Sequence, residues 1–194
     1  MQGKIEEIKA RNPSIECKYI VCDFSKHTKM SEYREIFGTE IADLDIGVAI
    51  ANAGYARANR VEDMSDEYLE STMNINALHV YYLMKIFSEK MLKRTKRSAL
   101  IVTSSMAGLY PFPSVVAYSA QKSFVTFLAR GMALEMGKNI DVLSFNPAEV
   151  ATKLIFRDES QASGATVTVA HAVKCCFRDC GHEDVTIGTF AHAV

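Results

Sequence analysis

The chain has 194 residues, 48% of them hydrophobic, and its 22 Lys+Arg against 23 Asp+Glu leave a formal net charge of −1. That length and apolar content fit one domain with a core of its own. The near-balanced charge gives no basic surface for nucleic acid and no cationic footing for an anionic membrane.

The elements follow in chain order. "CKYIVCDF" (17–24) reads as a buried strand, followed by a helix from Thr28 to about Ile41. "IGVAIANAG" (46–54) is a second apolar strand closing on the turn residues Asn52 and Gly54. Ser65, with Glu67 close behind, is an N-cap for one long helix through "DEYLESTMNINALHVYYLMKIFSEKML". "SALIVTSS" (98–105) is a third strand, and "MAGLYPFP" a loop broken by Gly108, Pro111 and Pro113. A helix from about Ser114 to Met136 leads to the strand "IDVLSFNP" (140–147), which Pro147 halts. A helical stretch, "TVTVAHAVKCCF", and a short "VTIGTFA" run complete the chain. Continuous apolar strands alternating with helices predict an α/β fold with a parallel sheet covered on both faces. Ligands bind such sheets at the carboxyl ends of the strands, so the polar groups there come under scrutiny. They are Asp23, Asn52, Ser104, Ser105 and the run from Pro147 to Thr152.

No apolar run reaches the ~18–20 residues of a bilayer span, and the amino terminus "MQGKIEEIKARN" carries no secretory pattern. Five cysteines (Cys17, Cys22, Cys175, Cys176, Cys180) are expected to be reduced thiols of an intracellular, cytoplasmic protein. "CCxxxCxH" ending on His182 matches no standard zinc spacing and reads as a packed helix with an apolar stripe through Val169, Val173, Cys176, Phe177 and Cys180, so no metal is expected. His79 and His192 are expected to be structural or surface residues, and His27 a loop histidine.

Tyr118 and Lys122, in "AYSAQKSF", are four apart and share one helix face. A neighbouring ammonium favours the phenolate, which would lower the phenol from its usual value near ~10 and let it trade a proton close to neutrality. Taken alone the spacing is weak, and an exposed helix turn is the ordinary reading. Its surroundings are more specific. Ser105 precedes Tyr118 by 118 − 105 = 13 residues, Asn76 lies within the preceding long helix, "ANAG" ends the strand before it, and Pro147, Val150 and Thr152 form P-x-x-V-x-T.

This ordered set resembles the short-chain dehydrogenase/reductase family, from about residue 4 to the end of the chain. The resemblance implies a Rossmann-like, doubly wound parallel sheet forming a single NAD(P)-binding domain over residues 1–194. It also implies roles, residue by residue. Tyr118 would be general acid in reduction and general base in oxidation. Lys122 would lower its pKa and hold the nicotinamide ribose, Ser105 would polarise the substrate oxygen, and Asn76 would hold a water of the proton relay. Asp23 would meet the adenine, Asn52 and Gly54 would line the adenosine side, and Pro147, Val150 and Thr152 would flank the carboxamide. Ser104 is the nearest alternative to Ser105, separated from it by the spacing alone.

"NPSIECKYIVCDFS", "YSAQKSFVTFLARGMALEM", "VATKL" and "VTIGTFAHAV" further resemble the branch of 17β-hydroxysteroid dehydrogenases and very-long-chain 3-oxoacyl-CoA reductases. That likeness implies NADP(H) in preference to NAD(H), a small lipid-like substrate and association with the endoplasmic reticulum. It further implies a homodimer, or pairing with an intact homologue, through the long helix and the Tyr118 helix. Pro147-Ala148-Glu149 departs from the family's P-G turn and sets a charge beside the nicotinamide position.

The family's phosphate-binding T-G-x-x-x-G-x-G run occurs nowhere in these residues. By the alignment, the first two strands and the glycine loop are lacking, so the expectation is an incomplete, N-terminally truncated domain. "CKYIVC" should then lie apart from the sheet, ~14 Å away at ~4.8 Å per strand, or move in to pair with an exposed "IGVAIA" edge. Three functions remain open: an NADP(H)-linked carbonyl reductase or alcohol dehydrogenase, a catalytically silent interaction module, and a non-functional fragment.

Overall fold

A computed structural model describes residues 2–152, 154 and 166–189. Four strands form one parallel sheet in the order β1 (Val48–Ala51), β2 (Ser98–Thr103), β3 (Ile140–Phe145), β4 (Val185–Thr186). The helices are α1 (Gln2–Arg11), α2 (Met30–Gly38), α3 (Asp66–Met73), α4 (His79–Met91), α5 (Val116–Glu135) and α6 (Val169–Asp179). Side chains alternate across a strand, so the sheet has two apolar faces. On one, Leu100, Val102 and Val142 pack with Val80 and Met84 of α4 and Val125 and Ala129 of α5. On the other, Ile101, Leu143 and Phe145 pack with Ala172 and Cys176 of α6. Helices on both faces are what the continuous apolar strands predicted.

Several elements depart from the sequence reading. Cys17–Phe24 forms no strand: Tyr19 is 50% and Val21 80% exposed, and only Ile20 and Phe24 pack inward, onto the α2–α4 cluster around Tyr33. The segment does not move in to pair with β1. A groove of about 650 Å³, lined among others by Ile20, Val21, Phe37, Val48, Ile50 and Phe87, separates the two. With no neighbour to complete a hydrogen-bond ladder, a β-rich sequence is not enough to make a strand. Among the described residues no strand pairs with the outer edge of β1, and Val48 and Ile50 are half-exposed along it.

The expected long helix starts where predicted, with the Ser65 hydroxyl accepting the Tyr68 N–H at 3.2 Å. It is interrupted by one π turn, Asn74–Leu78, between α3 and α4. The Tyr118 helix begins at Val116, two residues later than read from sequence, because Ser114 sits in the left-handed region (φ 62°) where a helix cannot start. In α6 the buried stripe is also out of phase with the prediction. Ala172, Cys175, Cys176 and Asp179 face inward, whereas Val169, Val173 and Phe177 are exposed. The three cysteines of this region therefore serve as helix residues: Cys176 lies in the core and Cys180 packs against it.

His79 is fully buried, its ring stacked on Phe24 at 4.3 Å, and His27 lies in the loop before α2. His192 is outside the described residues. Among the described residues no helix is long and apolar enough to cross a membrane.

Candidate active site

The carboxyl ends of β1 and β2, the π turn and the first turns of α5 meet at one place. Ser105 ends the β2 segment and caps a short 3-10 turn, Met106–Gly108, by accepting the Ala107 N–H at 3.1 Å. Its hydroxyl also faces the phenol of Tyr118, one turn into α5. Ser104 points the other way. It is buried, donates to the Lys122 carbonyl at 2.8 Å and lies 2.7 Å from the Thr126 hydroxyl. Thr126 in turn donates to Asn146 at 2.8 Å, and Asn146 binds Ser144 in β3. Of the two serines, Ser105 is the one brought to the tyrosine, and Ser104 fastens the helix beneath it.

Lys122 is 2% exposed, and its ammonium donates to the Thr103 carbonyl at 2.7 Å. The Nζ atom lies 5.7 Å from the centre of the Tyr118 ring, within cation–π range. Burial lowers the lysine to about 8, since desolvation penalises the charged form. The tyrosine behaves differently from the sequence expectation. Burial pushes its phenol up, and the hydrogen bond with Ser105 pulls back only part of that rise. In this arrangement desolvation outweighs the help the lysine was expected to give.

Asn76 sits in the π turn and is completely buried. Its Nδ2 donates to the Tyr55 carbonyl and to Gln121 Oε1, both at 2.7 Å, and its Oδ1 accepts the Tyr55 N–H at 2.8 Å. With both amide protons engaged, the second lone pair of Oδ1 is what the side chain has left to offer a water. Gly54 explains the close approach: a Cβ there would stand 3.3 Å from Lys122 Nζ and 3.4 Å from Asn76 Oδ1. Asn52, at the end of β1, accepts the Thr103 hydroxyl at 3.0 Å. Asn52, Gly54, Asn76, Ser105, Tyr118 and Lys122 thus form one connected cluster.

The remaining predicted residues lie around it. Asp23 is exposed, and its carboxylate is held below the usual range by the hydroxyl and N–H of Ser25. The Asp23 loop is tied to the π turn through Asn74, which donates to the Ser25 carbonyl at 3.4 Å. Pro147 accepts the Met106 N–H at 3.0 Å, so the turn after β3 is stapled to the Ser105 turn. Val150 pairs in a parallel bridge with Val167, and Thr152 is partly buried beside it. Glu149, the departure from the P-G pattern, accepts the Thr166 hydroxyl at 2.7 Å.

Sequence reasoning missed Thr103, Thr126, Asn146, Thr72 and Gln121. Gln121 left a trace: it is a polar residue three positions after Tyr118 on the inward face of α5.

A dinucleotide's nicotinamide half fits this donor set, with a buried ammonium beside a phenol and a glycine that leaves the approach open. No glycine-rich run for a pyrophosphate occurs in the 194 residues.

Comparison with known proteins is consistent with this arrangement. The sequence profile described as short chain dehydrogenase matches residues 2–162. The very-long-chain 3-oxoacyl-CoA reductase of Anas platyrhynchos is 33% identical over 184 residues, covering 92% of this chain and 57% of that protein. Carbonyl reductase [NADPH] 2 of Sus scrofa is 29% identical over 110 residues, covering 56% of this chain and 45% of that protein. The chain therefore spans about half the length of the curated relatives it matches. Among solved structures, a 7β-hydroxysteroid dehydrogenase superposes with a TM-score of 0.77 at 22% identity, covering 95% of this chain and 71% of the other. A short-chain dehydrogenase from Sphingobium yanoikuyae in complex with NADPH superposes at 0.78 and 19% identity, covering 92% and 69%.

Proposed function

This chain belongs to the short-chain dehydrogenase family, and on that premise we propose that it is an oxidoreductase acting on the carbonyl, or the corresponding hydroxyl, of an apolar substrate such as a steroid or a 3-oxoacyl-CoA. The observation that carries the proposal is the buried Lys122 ammonium 5.7 Å from the centre of the Tyr118 ring, with Gly54 leaving the approach to it open. In reduction, Tyr118 donates its proton to the substrate oxygen as Ser105 holds that oxygen by a second hydrogen bond. Lys122 then stabilises the phenolate that forms, at low cost because its ammonium is already anchored to Thr103. Asn76 Oδ1 offers the acceptor for a water that returns the proton. A nicotinamide dinucleotide, when bound, supplies the hydride. Asn52 and Gly54 would line its adenosine side, Asp23 its adenine, and Pro147, Val150 and Thr152 its carboxamide.

NADP(H) is proposed over NAD(H), a reading supported by the NADPH-named relative. The apolar substrate class is supported by the 3-oxoacyl-CoA reductase relatives, and by Leu109, Tyr110 and Phe112 on the segment between Ser105 and α5 and Val116 at the start of that helix. Association with the endoplasmic reticulum is proposed with it, a reading supported by the motif likeness to that branch. A second copy of the chain is the proposed partner, through α4 and α5, where Tyr81 and Phe124 touch edge to face and Phe127 and Leu134 are 76% and 85% exposed. That same apolar face favours a second reading, a catalytically silent module that pairs with an intact homologue.

The deciding experiment follows NADPH and NADH oxidation with a 3-oxoacyl-CoA and with a ketosteroid, for the unmodified protein and Tyr118→Phe. The oxidoreductase reading expects NADPH-dependent turnover that falls at least ~10²-fold in Tyr118→Phe, the usual scale for losing a general acid. Turnover that survives the substitution rules out the assigned acid. No turnover, with no thermal shift on adding NADPH, favours the silent module.

A further inference from the structure

We infer that Gln121 is a positioning residue that locks the Asn76 amide in the orientation the Tyr55 backbone selects and ties the acid-bearing helix α5 to the π turn. This inference rests on the oxidoreductase reading for its catalytic consequence, and on the hydrogen bonds alone for its structural part.

The direction of each bond in the chain follows from groups whose chemistry is fixed. The Tyr55 backbone presents one N–H and one C=O to Asn76, at 2.8 and 2.7 Å. A backbone N–H only donates and a carbonyl only accepts, so the Asn76 amide has one allowed orientation, Oδ1 to the N–H and Nδ2 to the C=O. The second Nδ2 proton then needs an acceptor, and Gln121 Oε1 meets it at 2.7 Å. That leaves Gln121 Nε2 as a donor, and it reaches Thr72 Oγ1 at 3.1 Å. Thr72 passes its own proton to the Leu69 carbonyl at 3.2 Å, closing the chain on the backbone of α3. Thr72, Asn76 and Gln121 are 3%, 0% and 6% exposed, so water cannot replace a missing partner cheaply.

The consequence lies in which elements are joined. Gln121 sits between Tyr118 and Lys122 on α5, and its partners lie on α3 and the π turn. It is the side chain through which the helix carrying the phenol and the ammonium is hydrogen-bonded to the turn carrying Asn76. Oδ1 of that same Asn76 stands 3.4 Å from where a Gly54 Cβ would be, next to Lys122 Nζ. If the acceptor at position 121 is lost, one Asn76 proton is left unsatisfied in a buried site. The amide is then held by the Tyr55 backbone alone, and its Oδ1 is less firmly kept at the relay position.

Two substitutions separate positioning from packing. Gln121→Met keeps the length and volume of the side chain and removes the acceptor. Gln121→Glu keeps an acceptor for Asn76, and Thr72 can turn its hydroxyl to donate to it. The first readout is hydrogen exchange of the Tyr55 amide, which needs no activity. In Gln121→Met it should exchange roughly tenfold faster, the scale of one buried hydrogen bond, with the amides of Leu100 and Val142 in the sheet unchanged. In Gln121→Glu it should stay within about threefold of the unmodified protein. The second readout is kinetic: Gln121→Met should lower kcat about tenfold with KM for NADPH unchanged, and Gln121→Glu should restore most of it. Equal Tyr55 protection in Gln121→Met and the unmodified protein overturns the inference. So does faster exchange spread evenly over the sheet, which marks general loosening. If the unmodified protein has no turnover, the oxidoreductase reading fails by itself, and the exchange comparison still decides the role of Gln121.

Discussion

Acid should destabilise this protein before its carboxylates titrate, because His79 is held neutral inside the core. The ring is 1% exposed, stacks on Phe24 at 4.3 Å and 19°, and neither nitrogen has a well-formed hydrogen-bond partner. Desolvation lowers the imidazole to about 4, outweighing the opposing pull of the Asn74 carbonyl; the Lys122 ammonium adds to the lowering and the Ile75 carbonyl opposes it. In the unfolded chain the same group returns to about 6.5. Between these values the unfolded state binds a proton that the folded state refuses, so stability falls as pH drops through that window. Integrating the two titrations gives a loss of about 2 kcal/mol between pH 7 and pH 5, rising toward about 3 kcal/mol near pH 4. For a chain of this size, 2 kcal/mol corresponds to roughly 4–8 °C in melting temperature. The measurement is thermal unfolding at pH 7 and pH 5 for the unmodified protein and for His79→Phe, which preserves an aromatic ring against Phe24 and cannot be protonated. The variant should lose several degrees less than the unmodified protein over that interval. Equal losses in the two proteins would refute the assignment of acid sensitivity to His79.

Other consequences concern the seating of α5 and its outer face. A Cβ at Gly108 would lie 2.7 Å from the Lys122 backbone carbon and oxygen and 2.9 Å from Ser104 Oγ, so Gly108→Ala must push the Ser105 turn off the helix. Chemical denaturation should show a cost of about 1–3 kcal/mol, the range for overpacking a tight contact. If α5 pairs with a second copy, Phe127→Glu combined with Leu134→Lys should shift the protein to monomer in sedimentation while its circular dichroism stays unchanged. Both residues are more than three-quarters exposed, so the fold of the isolated chain does not depend on them.

The alternating apolar strands and helices, the Ser65 cap and the pairing of Tyr118 with Lys122 on one helix face were legible locally. Each depends on a period or a spacing that survives in the sequence. The choice of Ser105 over Ser104 rested on spacing alone, and the fold sets the two serines in different surroundings. Ser104 turns inward to hold the Lys122 carbonyl, so Ser105 is the serine that reaches the phenol.

What the linear order could not carry was whatever depends on a neighbour. "CKYIVC" has the composition of a strand, but a strand exists only through its ladder, and no described strand lies beside it. The long helix reads as uniform, yet it carries a π turn, within which Asn76 binds the Tyr55 backbone 21 residues away. The pKa of Tyr118 was argued from one nearby charge, whereas its direction is set by how much water the whole fold excludes. Gln121 gained a role only when Thr72 and Asn76 arrived on either side of it. By itself, then, the sequence determined the kind of fold and the sharing of one helix face by Tyr118 and Lys122, because periodicity and covalent spacing along a helix fix those. Only the tertiary structure decided which buried partners hold them, because desolvation and hydrogen-bond satisfaction belong to the packed core.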